Sequence, residues 1–371
     1  KRVIRLFPDR YCAGRRGGEK TMKFIHIADV HLGAEPDAGA AYSGRRPREL
    51  WDTLEKVLGV CDREQADLLL IAGDLFHRQP LMRELKEVNY LFSDLKRTKV
   101  VLIAGNHDYI RKDSYYRTFR WAENVTPLFG QSMGYVEFPE LETAVYGLSY
   151  HRREIKEPLY DRCFAQGRQK YEILLAHGGD DKHIPFNRGA LEKSGFDYIA
   201  LGHIHKPGVL EENRIIYAGA LEPVDRNDTG PHGYVRGEIT ERGVRARWIP
   251  CAEREYIHLT IPVNEKDTSG SIKKKISESK DRCDNKNIYK ITLTGVRDED
   301  VIPDTAHMDD IGNVLEIVDE TRPAFDPEQL LRENRNNLIG HFIEEFRGCR
   351  EGSVEYQALC EGLEALLKNK S

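Results

Sequence analysis

Five stretches decide the fold: FIHIADVH (24–31), LLLIAGD (68–74), VVLIAGNHD (100–108), EILLAHGG (172–179) and YIALGHIH (198–205). Each is a short apolar run, then a small residue, then a side chain able to bind a metal. Continuous apolar runs of this length suit strands buried on both faces. Between the first three, Leu50, Leu54, Val57 and Leu58, then Leu81, Leu85, Val88, Leu91 and Leu95, recur at helical spacing. This predicts helices near 50–64 and 81–97. Strand–helix–strand–helix–strand implies an α/β sheet with polar residues gathered at the carboxyl ends of its strands.

Outward from this core, residues 208–250 alternate short strands with turn residues, as in Arg214–Tyr217 and Gly233–Ile239. They predict hairpins that complete a second sheet. Pro250 marks a boundary. Beyond it, strand 255–262, helix 270–280 and strands 288–294 and 313–318 predict a small α+β domain over 251–320. Asp326-Pro327-x-Gln329 supplies an N-cap, a proline at the first helical position and a capping-box partner. The helix it opens is expected to reach Arg347 and stop at Gly348. A last helix, 353–368, carries Leu359, Leu363, Leu366 and Leu367 on one side. The expected parts are therefore 22–250, 251–320 and a helical tail, 321–371.

Composition excludes several classes. The 371 residues are 40% hydrophobic and 32% charged, and the longest apolar runs are a handful of residues. A membrane span needs roughly 20, so none is expected. Arg5 interrupts the apolar residues 3–7, which leaves no signal-peptide core. Seven cysteines without CxxC or paired spacing give neither a disulfide framework nor a zinc knuckle, and a reducing cytoplasm is expected. Net charge is −5. Residues 1–21 hold seven basic and two acidic residues and are expected to be a disordered tail before Met22; the remaining chain carries 49 basic and 59 acidic residues. An acidic protein is a poor non-specific nucleic-acid coat, although cations held in a site would let it handle nucleic acid.

Chemistry gathers at the strand ends: Asp29-x-His31, Gly73-Asp74, Gly105-Asn106-His107-Asp108, His177-Gly178 and Gly202-His203-x-His205. Glycine precedes Asp74, Asn106 and His203, where a sharp turn must bring backbone and ligand close. Any one cluster is an ordinary cap or turn. Five in order after apolar strands predict a two-metal site. Two carboxylates, an amide and four imidazoles form an O/N donor set without thiolate, suited to Mn, Fe or Zn rather than Ca. Two divalent ions roughly 3.5–4 Å apart need a bridging carboxylate, lower the pKa of a shared water and neutralise phosphate oxygens. The expected reaction is metal-assisted phosphoester hydrolysis.

The D-x-H, GD, GNHD, H-G and G-H-x-H series resembles the calcineurin-like metallophosphoesterase superfamily over about residues 22–250. The resemblance implies an α/β two-sheet sandwich flanked by helices, with a small α+β cap domain and C-terminal helices following. It implies two divalent ions, Mn first and Fe or Zn as alternatives. Asp29, His31, Asp74 and His205 would hold the first; Asp74, Asn106, His177 and His203 would hold the second, with Asp74 bridging. His107 would face the phosphate and stabilise or protonate the leaving oxygen, and Asp108 would orient its loop. Protein phosphatases of this fold are expected to follow GD with Val or Ile and then Asp-Arg-Gly, whereas this chain has GDLFH (73–77). GDLFH, MKFIHIADVHLG (22–33) and GHIHKP (202–207) resemble the SbcD and Mre-type DNA repair nucleases, in which the histidine at position 77 acts near the scissile phosphate. AGALEPVDRNDTGPHGY (218–234) resembles the YhaO-type bacterial branch. Cap and tail match in layout only. The resemblance implies DNA as substrate, a coiled-coil ATPase of the SbcC type as partner and a homodimer.

Arg45, Arg46 and Arg48, and likewise Arg111, Lys112, Arg117 and Arg120, either contact DNA phosphates or form solvated loops; the sequence does not separate the two. Tyr115, Tyr116, Phe119 and Trp121 are better explained by core packing than by base stacking. Leu338, Ile339, Phe342, Ile343 and Phe346 either pack on the cap or dock an ATPase. The leading expectation is a two-metal DNA exonuclease or endonuclease. Its rivals are a phosphoesterase for nucleotides, built on the same site, and a non-catalytic scaffold for an ATPase, which would have no need of an intact ligand set.

Overall fold

The computed structural model describes residues 21–350 and 352–368, so the expected tail, Thr21 apart, lies outside the described residues. The chain divides into two compact units, the first ending at Tyr256 and the second beginning at Ile257.

In the first unit the apolar runs become β1 (Met22–Ile27), β2 (Leu68–Ala72) and β3 (Lys99–Ile103). They lie parallel, with Phe24 opposite Leu68 and Leu69 opposite Val100, and β4 (Val125–Pro127) continues the sheet beyond β3. A second sheet contains β5 (Gly134–Phe138), β6 (Thr143–Gly147), β7 (Tyr171–His177), β8 (Tyr198–Gly202), β9 (Gly208–Glu211) and β10 (Ile215–Tyr217), in the order β5-β6-β7-β8-β10-β9. Phe24, Leu68, Leu70, Val101 and Ile103 face Val145, Ile173, Leu175 and Tyr198 in the core between the sheets. Their alternating neighbours Ile25, Ile27, Leu69, Ile71 and Leu102 are buried on the other side. Each strand is thus covered twice, which is why it reads as an unbroken apolar run.

The outer cover of the first sheet is α1 (Arg46–Glu64) and α2 (Met82–Ser93). Leu50, Leu54, Val57, Leu58 and Cys61 line one buried face of α1, with Pro47 in its first turn and Gln65 ending it in the left-handed region. Full burial of each such leucine or valine is worth about 1.5–3 kcal/mol. Glu84 reaches back to the Leu81 N–H (2.8 Å) at the start of α2, which stops at Ser93, short of the expected 97.

The hairpin β11 (Gly233–Thr240) and β12 (Gly243–Pro250) departs from expectation. It joins the first sheet, antiparallel to β1, rather than the second. The open edge of β1 accepts it because Gly237 lies opposite Phe24, where a Cβ would come within 2.1 Å of the Phe24 ring. Within the second sheet, α3 (Arg188–Glu192) lies between β7 and β8 in sequence.

The second unit contains β13 (Tyr256–Val263) from its second residue onward, α4 (Ser269–Asp281), β14 (Ile288–Arg297) and β15 (Val314–Pro323). The three strands form one sheet in that order, with β14 and β15 parallel. Ile261, Ile272, Ile276, Tyr289, Ile291 and Leu293 make its core. The helix expected from 327 to 347 is two: α5 (Pro327–Glu333) and α6 (Leu338–Glu345). Asparagines break it. The Asn334 side chain bonds back to the Leu330 carbonyl, and Asn337 caps the N–H groups of Ile339 and Gly340. Asp326 caps α5 as expected, while the Gln329 amide donates to Glu333 rather than closing a capping box. Ile339 and Ile343 pack against Leu359 and Leu363 of α7 (Val354–Lys368).

Candidate metal centre

The polar residues at the ends of β1, β2, β3, β7 and β8 meet at one place. Asp29, His31, Asp74 and His203 all have positive φ (50°, 52°, 50° and 95°), so the backbone turns sharply at each. Such conformations cost roughly 1–3 kcal/mol each and persist where the surroundings impose them. The loops are stitched together: Asp29 N–H donates to the Gly73 carbonyl (3.2 Å), His31 N–H to that of Asp74 (3.1 Å) and His203 N–H to the Asp29 carboxylate (2.9 Å). Two glycines make the room. A Cβ on Gly105 would lie 2.2 Å from Asp74 Oδ1, and one on Gly202 would lie 2.0 Å from the Ala72 carbonyl.

All seven residues expected to hold metal are brought together. His31 Nε2 and His205 Nε2 face each other at 3.0 Å, and Asp29 shares a cluster with both. Asp74 Oδ2 lies 3.3 Å from His177 Nε2, and Asp29 joins that pair. Asn106 Oδ1 is 2.9 Å from His177 Nε2 and 3.1 Å from His203 Nδ1. His177 Nδ1 donates to the Ala72 carbonyl (2.8 Å), which leaves Nε2 directed at the cluster.

The buried carboxylates draw positive charge onto the imidazoles around them. Burial pushes the Asp29 carboxyl up, whereas imidazoles led by His177 hold Asp74 far below the carboxylate range despite its burial. Burial works against a charge on His177, but Asp74 outweighs it and lifts the pKa to about 9. His205 rises to about 9 against its burial because Asp228 and Asp29 face it. Burial drives His31 well down and His203 to about 4. Buried carboxylates, an amide oxygen and imidazole nitrogens converging without a thiolate fit a borderline divalent cation.

His77 and His107 stand beside this cluster. His77 Nδ1 is 3.3 Å from His31 Nδ1, and the three rings form a further candidate metal-binding group. His107 Nδ1 donates to the His77 carbonyl at 3.0 Å. Asp108 is buried and accepts from the Gly105 and Phe76 N–H groups and the Tyr116 hydroxyl, so it ties the loops after β2 and β3 together.

The arginines separate. Arg46 is fully buried on the first turn of α1, bonded to Glu49 and the Pro223 carbonyl (2.6 Å) and 3.6 Å from Glu222. Neither expected alternative, a DNA-phosphate contact or a solvated loop, holds for Arg46: its guanidinium faces the interior. Arg48 is exposed and paired with Asp52 and Glu55, Arg111 is exposed and paired with Asp113, and Arg45 is exposed in a short turn before α1. Tyr116 is buried and Phe119 and Trp121 pack on the core, as expected, while Tyr115 is exposed. Sequence reasoning missed Asp180 and Asp228, which bond His203 and His205 (2.8 and 2.9 Å). The available signals were the place of Asp180 three residues after His177 and of Asp228 in the turn-rich segment 218–234.

Two mixed six-stranded sheets with a carboxylate–imidazole cluster at their strand ends define a metallophosphoesterase. The family model for calcineurin-like phosphoesterases matches residues 22–207, half of the chain, and the protein belongs to that family. It is similar to the uncharacterized metallophosphoesterase YhaO of Bacillus subtilis, at 30% identity over 240 residues, 59% of this chain and 58% of the relative. It is also similar to the DNA double-strand break repair protein Mre11 of Methanocaldococcus jannaschii, at 28% identity over 56% of this chain and 58% of that protein. One component of the nuclease SbcCD of Staphylococcus epidermidis is 25% identical over 54% of this chain and 61% of that protein. The chain thus spans about three-fifths of the length of these relatives. Among the described residues, no helix is long and apolar enough to cross a membrane, and the six described cysteines are free.

Proposed function

We propose that the protein is a metal-dependent DNA nuclease that hydrolyses phosphodiesters with two divalent ions, Mn first and Fe or Zn as alternatives. The observation that carries this reading is the His77–His107 pair standing directly beside the seven-residue donor set. The likeness to the Mre11 and SbcCD relatives supports it. In this reading Asp29, His31, Asp74 and His205 hold one ion and Asp74, Asn106, His177 and His203 the other. When bound, such ions would supply Lewis acidity for activating water near neutral pH and for neutralising charge on the phosphoryl oxygens.

The protein's own groups do the rest. The His77 carbonyl fixes His107 through Nδ1–H, and in the imidazolium form Nε2–H meets the leaving oxygen and gives it its proton, the ring returning to the neutral Nδ1–H tautomer. Asp108 keeps the two loops in register, so His77 and His107 approach the phosphate as a unit. Arg45, Arg48 and Arg111 are the exposed candidates for DNA-phosphate contact. We place the cap at 251–320 and an ATPase-docking segment in the helices after it, with a coiled-coil ATPase and a second copy of this chain as partners and the cytoplasm as the site of action.

The test is cleavage of end-labelled single- and double-stranded DNA with Mn²⁺, Mg²⁺ or chelator, beside a cyclic nucleotide and bis-p-nitrophenyl phosphate. Mn²⁺-dependent DNA products that His107→Ala does not form are expected. Activity confined to the small esters would replace the nuclease reading by that of a nucleotide phosphodiesterase.

A further inference from the structure

The two histidines of the G-H-x-H motif present opposite ring nitrogens. His203 turns Nδ1 to Asn106 Oδ1 (3.1 Å), and its outer Nε2 meets Asp180 Oδ2 (2.8 Å). His205, two residues on, turns Nε2 to His31 Nε2 (3.0 Å), and its outer Nδ1 meets Asp228 Oδ2 (2.9 Å). A carboxylate only accepts, and as a charged acceptor it outcompetes the amide oxygen or imidazole facing the other nitrogen, so the proton of each neutral imidazole goes to the nitrogen facing the carboxylate. The other nitrogen is then a lone pair aimed into the cluster. A carboxylate behind a ligating histidine also raises its basicity and locks its ring.

We infer that Asp180 and Asp228 are positioning residues that fix opposite tautomers of His203 and His205, one carboxylate for each of the two metal positions. The inference rests on the two-metal reading of the site and adds to it residues outside the seven-member donor set. Both carboxylates are anchored by backbone N–H groups. Asp180 Oδ1 accepts the N–H groups of Lys182 (2.8 Å) and His183 (2.9 Å), and the His183 ring lies against it at 2.9 Å. The segment before it, Gly178-Gly179, runs at positive φ, and a Cβ on Gly179 would lie 2.2 Å from the Tyr217 hydroxyl. Asp228 Oδ2 accepts the N–H groups of Val224 and Asp225, each at 3.1 Å. Two loops from different parts of the sequence thus deliver one anchored carboxylate apiece to one motif. Neither aspartate needs to touch substrate to act.

The experiment loads the full chain with Co²⁺ and reads two quantities besides activity. One is the affinity for each ion, by competition with a chelator. The other is the set of exchangeable imidazole N–H signals in the paramagnetic proton NMR spectrum. Wild type is expected to hold two Co²⁺ and to show N–H signals for both His203 and His205. Asp180→Ala should remove the His203 signal and weaken one ion by about 10–100-fold, and Asp228→Ala should remove the His205 signal and weaken the other. The asparagine variants, whose amide oxygen still accepts the N–H, should keep each signal at a shifted position with a smaller loss of affinity. Alanine variants with both signals and both affinities unchanged overturn the inference. So does a third Co²⁺ in wild type that Asp180→Ala removes, because Asp180, His183 and His203 would then be ligands of a separate ion. Where an alanine variant loses its fold, the asparagine variant decides: an unshifted signal overturns the assignment. A wild-type chain holding fewer than two ions defeats the two-metal reading and this inference with it, whereas two ions with indifferent variants defeats the inference alone.

Discussion

The backbone N–H of His107 donates to Asp74 Oδ1 at 2.8 Å, so the loop after β3 is suspended from the carboxylate at the end of β2. That bond uses the main chain of His107, not its ring. The ring instead bonds the His77 carbonyl and stands beside His31. Replacing it therefore leaves Asp74 held as before. His107→Ala is expected to retain both metal ions by elemental analysis and to lose about 10²–10⁴-fold in kcat on DNA. Wild-type turnover in that variant contradicts its proposed role at the leaving oxygen.

Asp74 has more partners to lose. Its carboxylate is buried, faces His177 Nε2 at 3.3 Å and carries the His107 N–H on its other oxygen. Asp74→Asn keeps the shape but removes the negative charge from between the imidazoles. Both ions should be depleted after gel filtration in metal-free buffer, with activity lost in parallel. A variant that still retains two tightly held ions would rule out Asp74 as the shared ligand.

Much of this was legible because the signals were local. The five apolar runs became β1, β2, β3, β7 and β8, and their terminal motifs converge because parallel strands put their carboxyl ends on one side. The glycines before Asp74, Asn106 and His203 could be read as points of close approach, and Gly105 and Gly202 are crowded in that sense. What was illegible depended on distant partners. Nothing around Arg46 announces that Glu222 and Pro223 will enclose it. The β11–β12 hairpin had alternation but no mark of which sheet it would join, since that is decided by the free edge of β1. At 334–337 the apolar spacing favoured one helix, but asparagine side chains competed for the backbone and split it.

Arg46 gives a prediction that separates a buried cation from a DNA-binding one. Its guanidinium bonds Glu49 and the Pro223 carbonyl and lies near Glu222, which also accepts from Thr53 (2.6 Å). Removing one member of such a network leaves a buried carboxylate uncompensated, at a cost of about 3–5 kcal/mol. Arg46→Ala should lower the urea midpoint accordingly, whereas Arg48→Ala, at an exposed position, should stay within about 0.5 kcal/mol of wild type. Equal stability of the two variants would refute the structural role given to Arg46.

The same network makes stability depend on pH through Glu49. Burial opposes its charge, but hydrogen bonds from Arg254 and Arg46 outweigh burial and hold its pKa below the ordinary 4.5. A carboxyl whose folded pKa is depressed binds fewer protons folded than unfolded, so it adds stability above the unfolded value. That contribution is complete above 4.5 and disappears as pH falls through the lower folded value. Glu49→Gln cannot titrate and should be less stable than wild type near neutrality. The difference between the two should shrink as acid protonates Glu49, leaving both with a neutral side chain beside the arginines. Urea midpoints of the chelator-treated proteins, measured in steps from about pH 6 down to about pH 3, read this directly, because the metal ligands are then unloaded in both chains. A gap that stays constant across the series would mean that Glu49 is already neutral at pH 6 or that Arg46 and Arg254 gain nothing from its charge.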